Sequence, residues 1–159
     1  MAQPKIWFVT GASRGFGRIW TEAALKRGDR VAATARESKA LDELVAAYGD
    51  SILALPLDVT DRDAVFEAVK RAHRHFGRLD VILCNAGYGY MGAIEEAVTA
   101  DAQANFETNV FGTLSSSRRR CRCCALSAAA TSSPCRASAE SLVSRQVGFT
   151  WRPNSRSRA

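Results

Sequence analysis

The segment Thr10 to Gly17, with the sequence T-G-A-S-R-G-F-G, constrains the fold of this chain more than any other feature. It follows the apolar run Ile6 to Val9 and precedes an amphipathic stretch, which is the order strand, glycine-rich turn, helix. A helix N-terminus offers unpaired backbone N–H groups and a partial positive charge, and glycines leave the approach to it open. The segment therefore predicts a phosphate cradle, with a plain tight turn as the alternative.

Apolar runs alternate with helical stretches along the first two thirds of the chain. Runs typical of strands follow at Val31 to Ala35, Ile52 to Leu57 and Val81 to Cys84. A further helix is expected from about Asp101 towards Thr113. Strands that alternate with helices indicate an α/β fold, here a Rossmann-type doubly wound parallel sheet. We expect this sheet to be truncated after about four strands and followed by an irregular C-terminal tail.

Two helices are predicted from apolar side chains at helical spacing. The first set is Leu41, Leu44, Val45 and Tyr48, and the second is Val65, Val69, Ala72 and Phe76. Asp61 is expected to cap the start of the second helix, and Gly77 is expected to end it. His73 and His75 are expected at its solvated end, with metal binding as the less favoured alternative.

Five short blocks occur in order along the chain: Thr10 to Gly17, Leu57 to Val59, Asp80, Cys84 to Gly87, and Thr108 to Val110. In this order and at these separations they resemble the short-chain dehydrogenase/reductase family of the classical type, whose signature is T-G-x-x-x-G-x-G. The resemblance covers about Lys5 to Thr113. It implies an enzyme that moves hydride between a nicotinamide cofactor and a carbonyl or hydroxyl group.

The resemblance also implies roles for single residues. The loop residues that would bind the cofactor are Gly11, Ser13, Arg14, Gly15, Phe16 and Gly17. Asp58 would accept a hydrogen bond from the adenine amino group beside Val59, although an aspartate there also suits a simple turn cap. Asn85, Ala86 and Gly87 would lie near the adenosine ribose. Asn109 resembles the family's catalytic asparagine, which holds a water for proton relay, with an ordinary polar helix residue as the alternative.

The cofactor is expected to be NADP, with NADPH preferred over NADH. Enzymes specific for NAD carry an acidic residue after the second strand, and this chain has Ala35 and then Arg36 there. Arg14 would approach the same 2′-phosphate from the glycine loop, and guanidinium groups suit phosphate. Either arginine alone is typical of a solvated surface, so the prediction rests on the missing acid together with both arginines.

Composition changes abruptly near Leu114. Residues 1–113 carry 13 Lys and Arg against 15 Asp and Glu, whereas residues 114–159 carry nine Arg and one Glu. We therefore divide the chain into an incomplete dinucleotide-binding domain at 1–113 and a low-order tail at 114–159 that is rich in Arg, Ser and Cys. A basic nucleic-acid element and a cysteine metal site are weaker interpretations of the tail, because neither spacing nor partners support them.

The tail is interpreted as a shifted reading frame. In a neighbouring frame the codons from Phe149 to Asn154 permit Y-x-A-(S/T)-K, which resembles the family's catalytic pattern. The codons from Pro134 to Glu140 permit V-S-S-I-G-G, which resembles the strand of its catalytic serine. The chain as written lacks that serine, tyrosine and lysine, so we expect no dehydrogenase activity from it, and a substrate only in an intact relative. A non-catalytic nucleotide-binding or interaction fragment with a basic tail is the alternative.

The remaining signals are weak. The four apolar residues before the glycine loop are too few for a signal peptide or membrane span, so a cytoplasmic protein without membrane or specific nucleic-acid partners is expected. No metal site is expected. Val81 to Cys84 is predicted to form a sheet edge, which argues for marginal stability and aggregation. The family's usual homo-oligomer uses the fifth helix and a later one, so the altered tail argues against it.

Overall fold

The computed structural model describes residues 3–117, which form a parallel sheet with helices on both faces. Its strands are β1 (Ile6–Thr10), β2 (Arg30–Ala35), β3 (Ile52–Pro56) and β4 (Val81–Cys84), in the spatial order β3-β2-β1-β4. Its helices are α1 (Gly15–Lys26), α2 (Asp42–Tyr48), α3 (Arg62–Phe76) and α4 (Thr99–Phe106). The predicted Rossmann-type α/β class is confirmed. All three strand pairings are parallel, as strands joined through helices require.

The two faces of the sheet carry separate apolar cores. On one face α3 contributes Val65, Val69, Ala72 and Phe76, all buried as the sequence pattern predicts. On the other face the helical contribution comes from Ala24 and Leu25 of α1 with Leu41 and Leu44. Strands buried on both faces are characteristic of parallel sheets. Every residue of β2 after Arg30 is accordingly buried.

The ends of α3 are where the sequence places them. Asp61 Oδ1 accepts hydrogen bonds from the backbone N–H groups of Asp63 and Ala64, at 3.0 and 2.9 Å. Gly77 ends the helix in the left-handed region, with φ of +82°, where a side chain would add strain. His75 is exposed, whereas His73 is half-buried and its Nε2 has no hydrogen-bond partner among the described residues. The expectation of a solvated pair is therefore wrong for His73.

The predicted apolar face of the first helix is partly wrong. Leu41 belongs to a short 3-10 turn, Ser38–Leu41, that precedes α2. Leu41 and Leu44 are buried and Tyr48 packs against the same core, but Val45 is 36% exposed. The 3-10 turn rotates the chain more per residue than an α-helix does. The four residues therefore do not fall on one continuous stripe.

Helical structure extends beyond the predicted boundary at Thr113. A π-helical turn at Glu107–Gly112 follows α4, and residues 113–117 remain helical. Ser116 is buried, and its hydroxyl donates to the carbonyl of Gly112 at 3.0 Å. The predicted irregular tail is therefore wrong for residues 114–117. The rest of the predicted tail, residues 118–159, lies outside the described residues. The segments on which the reading-frame hypothesis rests belong to that part of the chain, so the hypothesis stays a prediction.

β4 is an edge strand within residues 3–117, because it pairs there with β1 alone. All four of its residues are partly exposed, in contrast to the buried positions of β1 and β2. This matches the predicted sheet edge for the part of the chain that the structure describes.

Candidate functional site

The turn between β1 and α1 depends on three glycines. Gly11 and Gly15 have φ of +69° and +59°, a region that L side chains rarely enter. A Cβ on Gly17 would lie 2.2 Å from the carbonyl oxygen of Gly11, and one on Gly11 would lie 2.8 Å from the Cα of Ala86. A Cβ on Gly15 would have no atom of the surrounding structure within 4 Å. The first and third glycines therefore allow close packing, and Gly15 faces open space.

The start of α1 suits an anion. No side chain within the described residues caps it, and its first turn has no acidic residue. Its first backbone N–H groups therefore keep their donor capacity, and the helix dipole adds partial positive charge at the same place. A phosphate at this N-terminus would complete hydrogen bonds that the protein leaves open.

A cavity of about 650 Å³ opens beside this turn, at the carboxyl ends of the strands. It is lined by Gly11, Ser13, Arg14, Gly15, Phe16, Ala35, Arg36, Leu57, Asp58, Val59, Thr60, Asn85, Ala86, Gly87, Tyr88 and Thr108. The carboxyl ends of parallel strands are the usual ligand edge of an open α/β sheet. Most of the predicted site residues lie here together, and only Gly17 and Asn109 are outside the lining.

Two arginines line the cavity from different elements. Arg14 precedes α1, and Arg36 follows β2 directly after the buried Ala35. Both residues are exposed, and neither guanidinium forms an ion pair within residues 3–117. Their charges therefore remain available to an anionic group in the cavity.

Asp58 acts as the turn cap that the sequence allowed, and it also lies in the lining of the cavity. Its Oδ1 accepts hydrogen bonds from the backbone N–H and the hydroxyl of Thr60, at 2.9 and 2.7 Å, which caps the turn after β3. These hydrogen bonds, with a smaller contribution from the Arg36 charge, lower the pKa of Asp58 from its ordinary value. The carboxylate also lines the cavity, so it is held ionised and in a fixed orientation there.

Side-chain hydrogen bonds join the segment after β4 to the glycine turn, and each of the two segments contributes one of the side chains. Asn85 Nδ2 donates to the carbonyl of Gly11 at 2.8 Å. The Thr10 hydroxyl oxygen accepts from the backbone N–H groups of Asn85 and Ala86, at 3.0 and 3.1 Å. The backbone of Asn85, Ala86 and Gly87 therefore faces the cavity in a fixed position, while the Asn85 side chain holds the turn.

Asn109 lies in the π-helical turn and contacts a residue of the cavity rather than the cavity itself. Its Oδ1 accepts from the backbone N–H of Tyr88 at 3.0 Å, and its Nδ2 donates to the carbonyl of Tyr88 at 2.8 Å. The same Nδ2 also donates to Asn105 Oδ1 at 3.2 Å. The Asn109 amide therefore binds the Tyr88 backbone and the Asn105 side chain rather than an open ligand position.

The sequence patterns did not mark four residues that line or support the cavity: Thr10 through its hydroxyl, Thr60, Tyr88 and Asn105. Thr10 belongs to the Thr10 to Gly17 block and Tyr88 adjoins the Cys84 to Gly87 block, so the motifs were the one signal for them. Thr60 binds Asp58 two residues earlier, a local turn pattern that the sequence could have indicated. The contact of Asn105 with Tyr88 depends instead on how the loop after β4 packs against α4. Among residues 3–117, no helix is long and apolar enough to cross a membrane. Nor does any group of three or more His, Cys, Asp or Glu gather there in a way that would hold a metal.

Known proteins resemble this chain over the same region. A family model for short chain dehydrogenases matches residues 5–128. The curated oxidoreductase BOA17 of Botryotinia fuckeliana is 47% identical over 109 residues, which cover 68% of this chain and 40% of that protein. The chain spans about two fifths of the length of the curated relatives it matches.

Solved structures share the fold. A short-chain dehydrogenase from Streptomyces avermitilis superposes with a TM-score of 0.73 at 43% identity, over 76% of this chain and 44% of that one. An alcohol dehydrogenase from the archaeon Thermococcus sibiricus, complexed with 5-hydroxy-NADP, gives a TM-score of 0.71 at 30% identity, over 76% and 53% of the two chains.

Proposed function

The chain belongs to the short-chain dehydrogenase family, and we propose that it forms the NADP(H)-binding part of an oxidoreductase that acts on a carbonyl or hydroxyl group. Members of this family bind a nicotinamide dinucleotide. The observation that carries the proposal is the cavity at the uncapped start of α1, whose lining includes two exposed arginines that form no ion pair within residues 3–117. The nicotinamide, when bound, would supply or accept the hydride.

The glycine turn would hold the two central phosphates. The open space beside Gly15 admits a phosphate, and the first N–H groups of α1 would donate to its oxygens. Ser13 and Phe16 complete this side of the lining. Gly17 would act indirectly, because its missing Cβ lets α1 approach the carbonyl of Gly11.

NADP is proposed over NAD on the charge of the cavity. Arg14 and Arg36 would bind the 2′-phosphate, and Ala35 replaces the carboxylate that would repel it. The NADP-type ligand in the archaeal alcohol dehydrogenase supports this choice by analogy. Asp58 and Val59 would contact the adenine, and the backbone of Asn85, Ala86 and Gly87 would lie beside the ribose.

Asn109 is proposed as the catalytic asparagine of an intact relative. In the observed orientation its side-chain amide hydrogen-bonds to Tyr88 and Asn105. The tyrosines of this chain are Tyr48, Tyr88 and Tyr90, and none is followed by lysine four residues later. We therefore propose that the 159-residue polypeptide binds NADPH without oxidising it, which also describes the alternative of a non-catalytic nucleotide-binding fragment.

Isothermal titration of the purified chain with NADPH tests the proposal. Saturable binding at one site per chain is expected. A parallel assay follows absorbance at 340 nm with a panel of ketones and aldehydes, and no NADPH oxidation is expected. Absence of binding by a folded chain would refute the cofactor assignment, and steady oxidation would refute the inactivity.

A further inference from the structure

Asn105 of α4 contacts two groups that shape the end of the cavity. Its Nδ2 donates to the carbonyl of Tyr88 at 2.7 Å, and its Oδ1 accepts from Asn109 Nδ2 at 3.2 Å. Residues four apart on a helix lie on one face, so Asn105 and Asn109 face the loop after β4 together. Asn105 is half-buried in this position.

Three hydrogen bonds hold the Asn109 amide in one orientation, and one of them is to Asn105. In the observed orientation, Asn109 Oδ1 accepts from the Tyr88 N–H while Nδ2 donates to two oxygens, those of Tyr88 and Asn105. A flipped Asn109 would direct its own oxygen at both of those acceptors and its amino group at the Tyr88 N–H. Three hydrogen bonds would become three repulsive contacts.

We infer that Asn105 is a positioning residue that helps to orient Asn109 and, together with it, fixes the Tyr88 backbone in the lining of the dinucleotide cavity. Tyr88 lines that cavity and adjoins Gly87. The link to the cofactor rests on the proposed function, whereas the orientation of Asn109 rests on the hydrogen bonds alone. The π-helical turn that contains Asn109 begins two residues after Asn105, and such turns are frequent at functional sites.

Hydrogen exchange at the Tyr88 amide tests the positioning role in the unliganded chain. Asn105 does not touch this N–H, since its acceptor is Asn109 Oδ1. Replacement Asn105→Ala is nevertheless expected to lower Tyr88 protection about fivefold, the effect of weakening one hydrogen bond. Gln103→Ala on the exposed side of α4 is the matched control and should leave Tyr88 unchanged. The amides of Phe8 and Val9 in β1 report the integrity of the sheet in the same experiment.

A loss of protection at Tyr88 with β1 unchanged supports the inference. Equal protection at Tyr88 in Asn105→Ala and the original chain overturns it, and so does a loss that spreads to Phe8 and Val9, which would show a merely structural role. NADPH titration of the same variants supplies the second readout. Asn105→Ala is expected to bind about threefold more weakly and Gln103→Ala equally well. Lost Tyr88 protection with unchanged affinity would overturn the cofactor link.

A chain that binds no NADPH in any form would refute the proposed function. The exchange rates at Tyr88 would still decide the role of Asn105, because they are measured without ligand. The proposed NADPH binding and the positioning role of Asn105 can therefore be refuted independently of each other.

Discussion

The hydroxyl oxygen of Thr10, at the end of β1, accepts a hydrogen bond of 3.0 Å from the backbone N–H of Asn85, the first residue after β4. It also accepts the N–H of Ala86 at 3.1 Å. Thr10 is 1% exposed, so water does not compete for these two donors. One buried hydroxyl thereby joins the end of β1 to the loop after β4, whose residues line the cavity.

Replacement Thr10→Val should destabilise the fold by about 2 kcal/mol, because it leaves two inward-facing N–H groups without their acceptor at nearly constant side-chain volume. Urea unfolding followed by circular dichroism measures this change. Thr10→Ser keeps the hydroxyl and should cost less than half as much. Equal losses in the two variants would show that the methyl group, not the hydroxyl, holds the site.

Asp29 should make the stability of the fold depend on pH below about 4. Burial raises the pKa of Asp29, but hydrogen bonds from Arg27, the Lys5 backbone and Trp7 outweigh burial and lower it below its ordinary value of 3.8. Because the pKa is lower in the folded state, the ionised Asp29 carboxylate stabilises the fold at pH values above the pKa of the unfolded chain. This stabilisation is lost as the pH falls through the pKa of the folded state.

Replacement Asp29→Asn tests the direction of this pH dependence of stability. The variant should lose about 2 kcal/mol at pH 7, since hydrogen bonds to a charged acceptor are weakened. The difference between the variant and the original chain should shrink between pH 4 and pH 2, as urea unfolding at each pH would record. A constant difference across that range would contradict the assignment.

Asp58→Ala should weaken the binding of NADH and of NADPH equally, by about fivefold, because the adenine is common to both cofactors. The turn cap complicates this variant, since Asp58 also binds the N–H and hydroxyl of Thr60. Thr60→Val removes one of the two cap hydrogen bonds and keeps the carboxylate. Comparable weakening in Thr60→Val would mean that Asp58 acts on the turn rather than on the ligand.

The sequence predicted those parts of the fold and site that depend on local patterns. The buried stripe of α3, the cap at Asp61 and the left-handed Gly77 follow from spacing and side-chain chemistry within one helix. The glycine turn and Asp58 follow from family motifs. These features need no knowledge of how distant elements pack.

Features that depend on contacts between elements, or on a turn that apolar spacing does not record, were missed. The exposure of Val45 follows from a 3-10 turn whose geometry no apolar pattern records. The occupation of the Asn109 amide by Tyr88 depends on a loop 21 residues away in sequence. The helical residues 114–117 are held by Ser116 and by the close approach of Gly112 to Val59. Composition alone had placed the boundary too early.

Binding of NADP through Arg14 and Arg36 should appear in the ratio of the NADH and NADPH dissociation constants. Calorimetric titration should give NADPH binding at least about tenfold tighter, since charged hydrogen bonds to phosphate contribute about 1.5 to 3 kcal/mol. The double replacement Arg14→Ala/Arg36→Ala should bring the ratio close to one. Arg18→Ala, which removes an arginine of α1 paired with Glu22 and Glu43, should leave the ratio unchanged. If the original chain binds NADH as tightly as NADPH, the assignment of Arg14 and Arg36 to the 2′-phosphate is wrong.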